Sequence, residues 1–434
     1  MIRAFSLILI VILFNNCSFD NKSGFWTQEK KLNADNLKNS KEKILFEKQD
    51  YLENEFNSEL RIEFYKENST ENLLLGNNDK FSDVTLDFSK FSKFKFKKIN
   101  YSGSFFPEIV FHNNEIIFFD KYGTIIKFDE NSKIIWKKNF YNKNEKKSLP
   151  ILKLTKFNNS LLVTDSLSKI YLINLLDGNL LWSTEHQSSF VSQVKIDNNR
   201  FYALDSNNTF NCFSLVNGEK IWDFKNETNL MNSQKEKSIV LDDVSVIFNN
   251  NKGDIIALDK LSGSLIWISP VISYNESFRS FLINFSDIVL DDKNIYFSHS
   301  EGKLYSLSAT NGLINWSQQI DSYLRPKIIN NFIVTISENG YLYIIEKKSG
   351  NILRITNLLE NLKEKKRKKY KPSGFIITED KIYVSTINGH LIVTDIASGK
   401  KVSSFKITGD KISKPYVNDK KLYFIKDDQI IKLN

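Results

Sequence analysis

The stretch Gly253-Asp254-Ile255-Ile256-Ala257-Leu258-Asp259-Lys260-Leu261-Ser262-Gly263-Ser264-Leu265-Ile266-Trp267 decides the fold. It reads as a glycine turn, a short apolar strand, a second turn closed by Gly263, and a further strand with tryptophan four residues after that glycine. The second half recurs at Gly178 to Trp182, Gly218 to Trp222 and Gly312 to Trp316. Two worn copies follow, Gly350 to Arg354 and Gly399 to Ser403, and one precedes, with Ser132 in the glycine position and Trp136 after it. Trp136, Trp182, Trp222, Trp267 and Trp316 therefore hold one repeat position. Anchors 38 to 49 residues apart match the strand-built period, about 40 to 50 residues, of a β-propeller.

A second anchor lies ten residues before the first glycine position: Gly253, Gly302, Gly340 and Gly389, with Ser168 and Asn208 replacing it twice. In the first copy Gly123 sits nine residues before Ser132. Such residues suit a hairpin turn with positive φ. On either side lie β-branched and aromatic runs such as Ile295-Tyr296-Phe297 and Leu304-Tyr305-Ser306-Leu307, which read as strands. Each unit shows three strands and has room for a fourth. A single unit exposes two apolar faces, and stacking units buries both. The tryptophan is expected to be a largely buried wedge at each seam.

The chain ends in a fragment of the repeat, with Leu422-Tyr423-Phe424-Ile425 and Ile430-Ile431-Lys432-Leu433 but no tryptophan strand. Seven fuller copies and this fragment make eight units. A ring closes without exposed edges when an early strand completes the last blade; the run Phe94-Lys95-Phe96-Lys97-Lys98-Ile99 is the expected donor. The predicted fold is all-β: an eight-bladed propeller of four-stranded antiparallel blades, closed by an N-terminal strand. The expected layout is a signal peptide over 1–16, a polar tether over 17–90 and the propeller over 91–434.

Arg3 followed by the apolar run Leu7 to Phe14 reads as a secretion signal, too short to span a bilayer as a mature helix. It ends at Cys17, and a cysteine straight after a short apolar core resembles a bacterial lipoprotein signal, in which that cysteine carries the lipid. Cys212 is the other cysteine, so no disulfide framework is expected. It stands where other copies have Ala257 and Ser306, a small-residue packing slot. The net charge is +9, with its densest cluster at Lys363 to Lys371, read as a solvated inter-blade loop or a contact to anionic headgroups. A secreted chain meets little nucleic acid, so none is expected as a partner. His112, His186, His299 and His390 lie apart from one another, no zinc spacing, nucleophile elbow or phosphate loop appears, and neither metal nor catalytic residues are expected.

The quoted motif resembles the repeat shared by pyrroloquinoline-quinone (PQQ) enzymes and by the BamB family, propeller lipoproteins of the β-barrel assembly machinery of Gram-negative outer membranes. The lipoprotein-like start, the eight units and the absence of large insertions favour BamB. The quinone enzymes are longer, many carry a vicinal cysteine pair, and they need a Ca²⁺ site; no such pair or site is visible here. A quinone-dependent oxidoreductase and a generic periplasmic protein-binding propeller remain the alternatives. The resemblance implies a scaffold without cofactor, anchored by lipid in the outer membrane and facing the periplasm. It further implies docking on the periplasmic domains of a BamA-like subunit and help to unfolded outer-membrane protein clients. By repeat count, the family's partner loops correspond to about Asn229 to Lys235 and Ser280 to Phe285. These offer Leu230, Met231, Ser233 and Gln234, then Phe281 and Ile283, while the charges common in the family are absent.

Overall fold

A computed structural model describes residues 53, 55–57, 91–99, 107–226, 235–272 and 284–433, apart from 301 and 379. Residues 53–434 form one compact unit. Cys17 and the segment expected to be a signal peptide fall outside the described residues. Among the described residues no helix is long and apolar enough to cross a membrane.

Eight antiparallel sheets follow one another along the chain, and in the first seven the four blade strands pair in sequence order, with one extra N-terminal strand added to the sixth. The eighth joins Tyr416–Asn418, Lys421–Lys426 and Gln429–Leu433 to Phe91–Lys95, so the last blade is completed from the N-terminal side. The pairing runs from Phe91 opposite Leu433 to Lys95 opposite Gln429. The closing strand thus starts three residues before the expected run and ends at Lys95. Its length is set by its partner, whose five residues end the available ladder. Phe96 and Ile99 are still tied down, their N–H groups donating to the carbonyls of Asp428 and Asp427. Phe94 is fully buried, 5.7 Å from Phe128 of the first blade in an edge-to-face pair. Among the described residues two short helical turns interrupt the strands, Lys143–Lys147 and Glu364–Arg367.

Within a blade the first strand is innermost and often only three residues long, as in Ile239–Leu241 and Val289–Asp291, and neighbouring inner strands approach one another around the centre. The two middle strands are almost wholly buried, because both faces pack on adjacent blades. The fourth strand forms the rim and alternates between exposed and half-buried residues, the period-two pattern of a strand with one wet face. The hairpin anchors do have positive φ, Gly253 at 90° and, where glycine is replaced, Ser168 at 70° and Asn208 at 60°.

The seams explain why glycine and tryptophan recur together. Each rim tryptophan lies on the glycine of the following blade. A Cβ on Gly312 would stand 2.5 Å from Trp267 Cε3, and one on Gly263 2.5 Å from Trp222 Cε3. In five of these rim pairings a bulge immediately precedes the tryptophan, which re-aims the side chain toward the neighbour. The indole N–H then donates across the seam: Trp136 to Leu175 O at 3.3 Å, Trp182 to Leu215 O at 3.1 Å, Trp267 to Ala309 O at 2.9 Å and Trp316 to Lys347 O at 3.1 Å. Trp267 is buried, but Trp136, Trp182, Trp222 and Trp316 are half-buried. The tryptophan stands on the outermost strand, so one edge of the indole remains at the rim while the rest packs against the core. Arg354 fills the same role in a worn copy, its guanidinium bonding the Ala397 carbonyl over Gly399.

Trp222 is the exception, with an indole N–H that has no hydrogen-bond partner. The carbonyl it would reach, Lys260 O, instead receives the Tyr202 hydroxyl at 3.1 Å and Arg200 Nη1 at 3.4 Å. Cys212 pairs with Trp222 across the sheet, as Ala257 pairs with Trp267 and Ser306 with Trp316. Burial pushes its thiol up to about 11, which leaves little thiolate for chemistry.

A short extra strand, Phe56–Asn57, adds to the rim of the sixth blade opposite Ile355 and Arg354. Glu53 accepts the Tyr343 hydroxyl at 2.7 Å, and Glu55 accepts the Asn357 N–H at 3.0 Å. This part of the 17–90 segment is therefore docked on the ring.

Candidate functional site

The connections between blades, from each rim strand to the next inner strand, all emerge on one face of the ring. The opposite face carries the turns between third and fourth strands, such as that at Gly263, whereas the turns at Gly253 and its equivalents share the first face, where a Cβ on Gly253 would meet Ile272 and Phe285 of a connection. The two loops expected to meet a partner are neighbouring connections on the first face, leading into the fourth and fifth blades. Leu230, Met231, Ser233, Gln234, Phe281 and Ile283 lie outside the described residues. Their described flanks are adjacent: Lys235 Nζ bonds the carbonyl of Phe285. Phe285 itself, at the end of the second loop, is no surface anchor. It is buried beside Phe297 and His299 and would collide with a side chain at Gly253.

The same face opens on the central channel, and there the side chains before each inner strand converge. Lys235 also donates to Tyr323 O of the sixth blade's connection at 3.1 Å, so it reaches from the fourth blade past the fifth. Lys153 of the second blade pairs with Glu236 at 2.9 Å and donates to Ser192 O at 2.6 Å. Lys414, entering the eighth blade, pairs with Glu108, entering the first, at 2.6 Å. Burial would raise the Asp287 carboxyl, but Lys414, Lys235, Arg325 and Lys195 outweigh it and hold the group below its ordinary value. Those four cations come from four different blades. Burial pushes Lys235 down to about 8 against the opposing pull of Asp287 and Glu236, and pushes Lys237 down to about 8 with the help of Lys235. Apart from Lys235, which ends the first expected partner loop, nothing in the sequence had marked these residues, since ring closure alone brings them together.

A second concave region, about 320 Å³, lies on the third blade and includes His186, Asp205 and Asn211. His186 Nε2 is 3.0 Å from Asp205 Oδ2, a pairing that could suggest acid–base chemistry. Asp205, however, closes a hairpin turn, its Oδ1 accepting the N–H groups of Asn207 and Thr209 at 2.9 Å each. Asp120, Asp165 and Asn250 make the same turn in other blades. At Asp165 the second oxygen takes the Tyr141 hydroxyl at 2.5 Å. His186 is thus one version of a repeated structural contact, stacked on Phe190. Among the described residues no three His, Cys, Asp or Glu side chains gather in a metal-binding group.

The basic stretch Lys363 to Lys371 is the connection into the seventh blade, on the same face as the channel mouth. Arg367 is held by the Leu362 carbonyl at 2.9 Å and Lys371 pairs with Glu338, while most of the remaining lysines are exposed.

The family described as "Outer membrane protein assembly factor BamB" matches residues 121–356, more than half of the chain. No curated protein sequence matches significantly. Among solved structures, BamB from Moraxella catarrhalis aligns with a TM-score of 0.62 at 14% identity, covering 79% of this chain and all of that one. The computationally designed Ika8 protein gives 0.59 at 12% identity over 78% of this chain and 99% of its own. The C-terminal WD40 domain of Sif2 gives 0.57 at 13% identity over 81% and 99%. At these identities the structural likeness establishes the fold.

Proposed function

The chain belongs to the family of the outer membrane protein assembly factor BamB, and from that premise we propose that it is a non-catalytic scaffold of outer-membrane β-barrel assembly. In this reading Cys17 carries the lipid and the ring faces the periplasm. The face with the inter-blade connections docks on the periplasmic domains of a BamA-like subunit and helps unfolded outer-membrane proteins to reach it. The observation that carries the reading is the family match over residues 121–356. The contiguity of the two loop flanks through Lys235 and Phe285 supports a single patch. A closed ring suits such a role, because it presents loops on a rigid support. Affinity would come from a few apolar anchors such as Leu230 and Met231 within a polar rim.

The test is a mild-detergent pull-down from native envelopes with the full chain as bait. Recovery of the barrel-assembly subunit, lost on Leu230→Asp with Met231→Asp at an unchanged melting temperature, is the expected result. Failure to recover that subunit with the unmodified chain overturns the reading. Cys17→Ser should separately release the protein from the membrane fraction or leave an unprocessed precursor. An unchanged membrane fraction and mature mass would remove the lipid anchor from the proposal.

A further inference from the structure

The hollow on the third blade opens where the repeat changes a seam residue. Asn211 precedes Cys212, the residue opposite Trp222. In six other blades the equivalent position holds Ile126, Tyr171, Ile256, Tyr305, Tyr343 and Ile392, all buried in a seam. Asparagine is smaller than either of those residue types, and the hollow of about 320 Å³ that it lines lies at this place. The Asn211 side chain is fully buried. Its Nδ2 donates to Thr209 O at 2.8 Å and to Asp205 Oδ2 at 3.2 Å, which fixes the orientation of the amide. Its Oδ1 is left without a hydrogen-bond partner. A buried acceptor in that state costs stability, and an incoming donor recovers it.

Two sister seams receive a polar group at this place from outside the blade's own four strands. In the second blade, Tyr141 of the preceding connection brings its hydroxyl to Asp165 Oδ2 at 2.5 Å and to the Tyr171 hydroxyl at 3.1 Å. In the sixth, Glu53 of the N-terminal segment accepts the Tyr343 hydroxyl at 2.7 Å and Asn339 Nδ2 at 3.1 Å. Asn339 stands where the third blade has Asn207, which also lines the hollow. The remaining lining is polar and balanced in charge: Lys220 and Lys225 offset Asp205 and Asp223, and Lys220 pairs with Asp223. Small-molecule sites span about 300–1,000 Å³ and are mostly apolar. One at the low end of that range, walled by amides and offsetting charges, suits a small neutral ligand that both donates and accepts. Hydroxyl groups do both. We propose that the third-blade hollow binds a neutral sugar ring, one hydroxyl donating to Asn211 Oδ1 and others meeting Asp223 and Lys225 at the mouth. The His186–Asp205 pair is then part of the wall. This site does not depend on the scaffold reading.

The test is ligand-observed NMR with calorimetry on the full chain, using glucose, galactose and N-acetylglucosamine and their methyl glycosides. Saturable binding of at least one of these is expected, unchanged from about 50 to about 500 mM salt because the ligand carries no charge. Glycosides that bind as well as the free sugars identify a glycan terminus as the ligand; glycosides that do not bind identify the free sugar. Asn211→Ile installs the residue of the sister blades. It should weaken binding about tenfold or more while raising the melting temperature, a combination that misfolding cannot mimic. Should that variant melt lower instead, Lys225→Ala decides, since its side chain is exposed: a loss of about threefold or more upholds the site, and unchanged binding overturns it. Absence of saturable binding by every probe overturns the proposal. So does binding that salt abolishes, or binding that Asn211→Ile leaves as it was.

Discussion

At the residue scale, each seam depends on an indole placed over a glycine, and the chain offers an internal comparison. Trp267 is buried and donates to Ala309 O, whereas the Trp222 N–H has no partner because Tyr202 and Arg200 hold the carbonyl of Lys260. Trp267→Ala should cost about 3–5 kcal/mol, the usual range for truncating a large buried aromatic. The sharper comparison is with phenylalanine. Trp267→Phe loses ring area and a hydrogen bond, while Trp222→Phe loses ring area alone. Denaturant melts should show Trp267→Phe to be the more damaging by about 1 kcal/mol; equal losses would mean that the indole bonds contribute nothing. The sequence displayed the glycine and the tryptophan four residues apart and marked the tryptophan as a seam wedge, without showing which glycine the indole meets. The contact in fact joins the tryptophan of one blade to the glycine of the next, and only the stacked ring reveals it. Arg354 appeared to be a worn position for the same reason: its bond to the Ala397 carbonyl replaces the indole's by a different chemistry.

At the element scale, two N-terminal strands pair with the ring and should matter unequally. Phe91–Lys95 completes the eighth blade and places Phe94 in the core with Phe128 and Tyr423. Phe56–Asn57 only extends the rim of the sixth blade, with Phe56 about half exposed. Phe94→Ala should therefore destabilise by about 3–5 kcal/mol, and Phe56→Ala by less than about 0.5 kcal/mol. Parallel thermal melts of the two variants decide this, and comparable losses would show that the rim strand helps to hold the ring closed. The need for a closing strand was legible from the incomplete copy at the C-terminus. Its limits were not, because the alternating run from Phe94 to Ile99 looks more strand-like than Phe91-Ser92-Lys93. Register follows the partner, Gln429–Leu433, rather than the donor's own pattern. Phe285 teaches the same lesson in a loop: adjacent to a candidate contact run, it is claimed by the seam because Gly253 leaves room for its ring.

At the scale of the whole molecule, the count of blades could be read from the repeat, but the charged mouth could not. Its members are scattered from Lys153 to Lys414, and nothing short of ring closure brings them to one opening. Their burial gives the molecule a distinctive pH dependence. Lys235 and Lys237 have folded-state values near 8, below the ordinary 10.5. Below pH 8 both the folded and the unfolded chain hold these protons, and the cost of burying the charges is paid in full. Between pH 8 and 10.5 the unfolded chain keeps protons that the folded chain has released, so stability contributed by these groups rises with pH. Buried phenols act in the opposite sense at the upper end. Burial pushes Tyr296, for example, up to about 12, so above about pH 10 the unfolded chain loses the proton first and stability falls. The melting temperature of the full chain should climb from pH 8 toward 10 and then decline. Lys235→Met with Lys237→Met should raise the curve at pH 7 and flatten the climb, while leaving the decline above pH 10 in place. An undiminished climb in that double variant would mean that these two lysines are not the groups strained at the channel mouth.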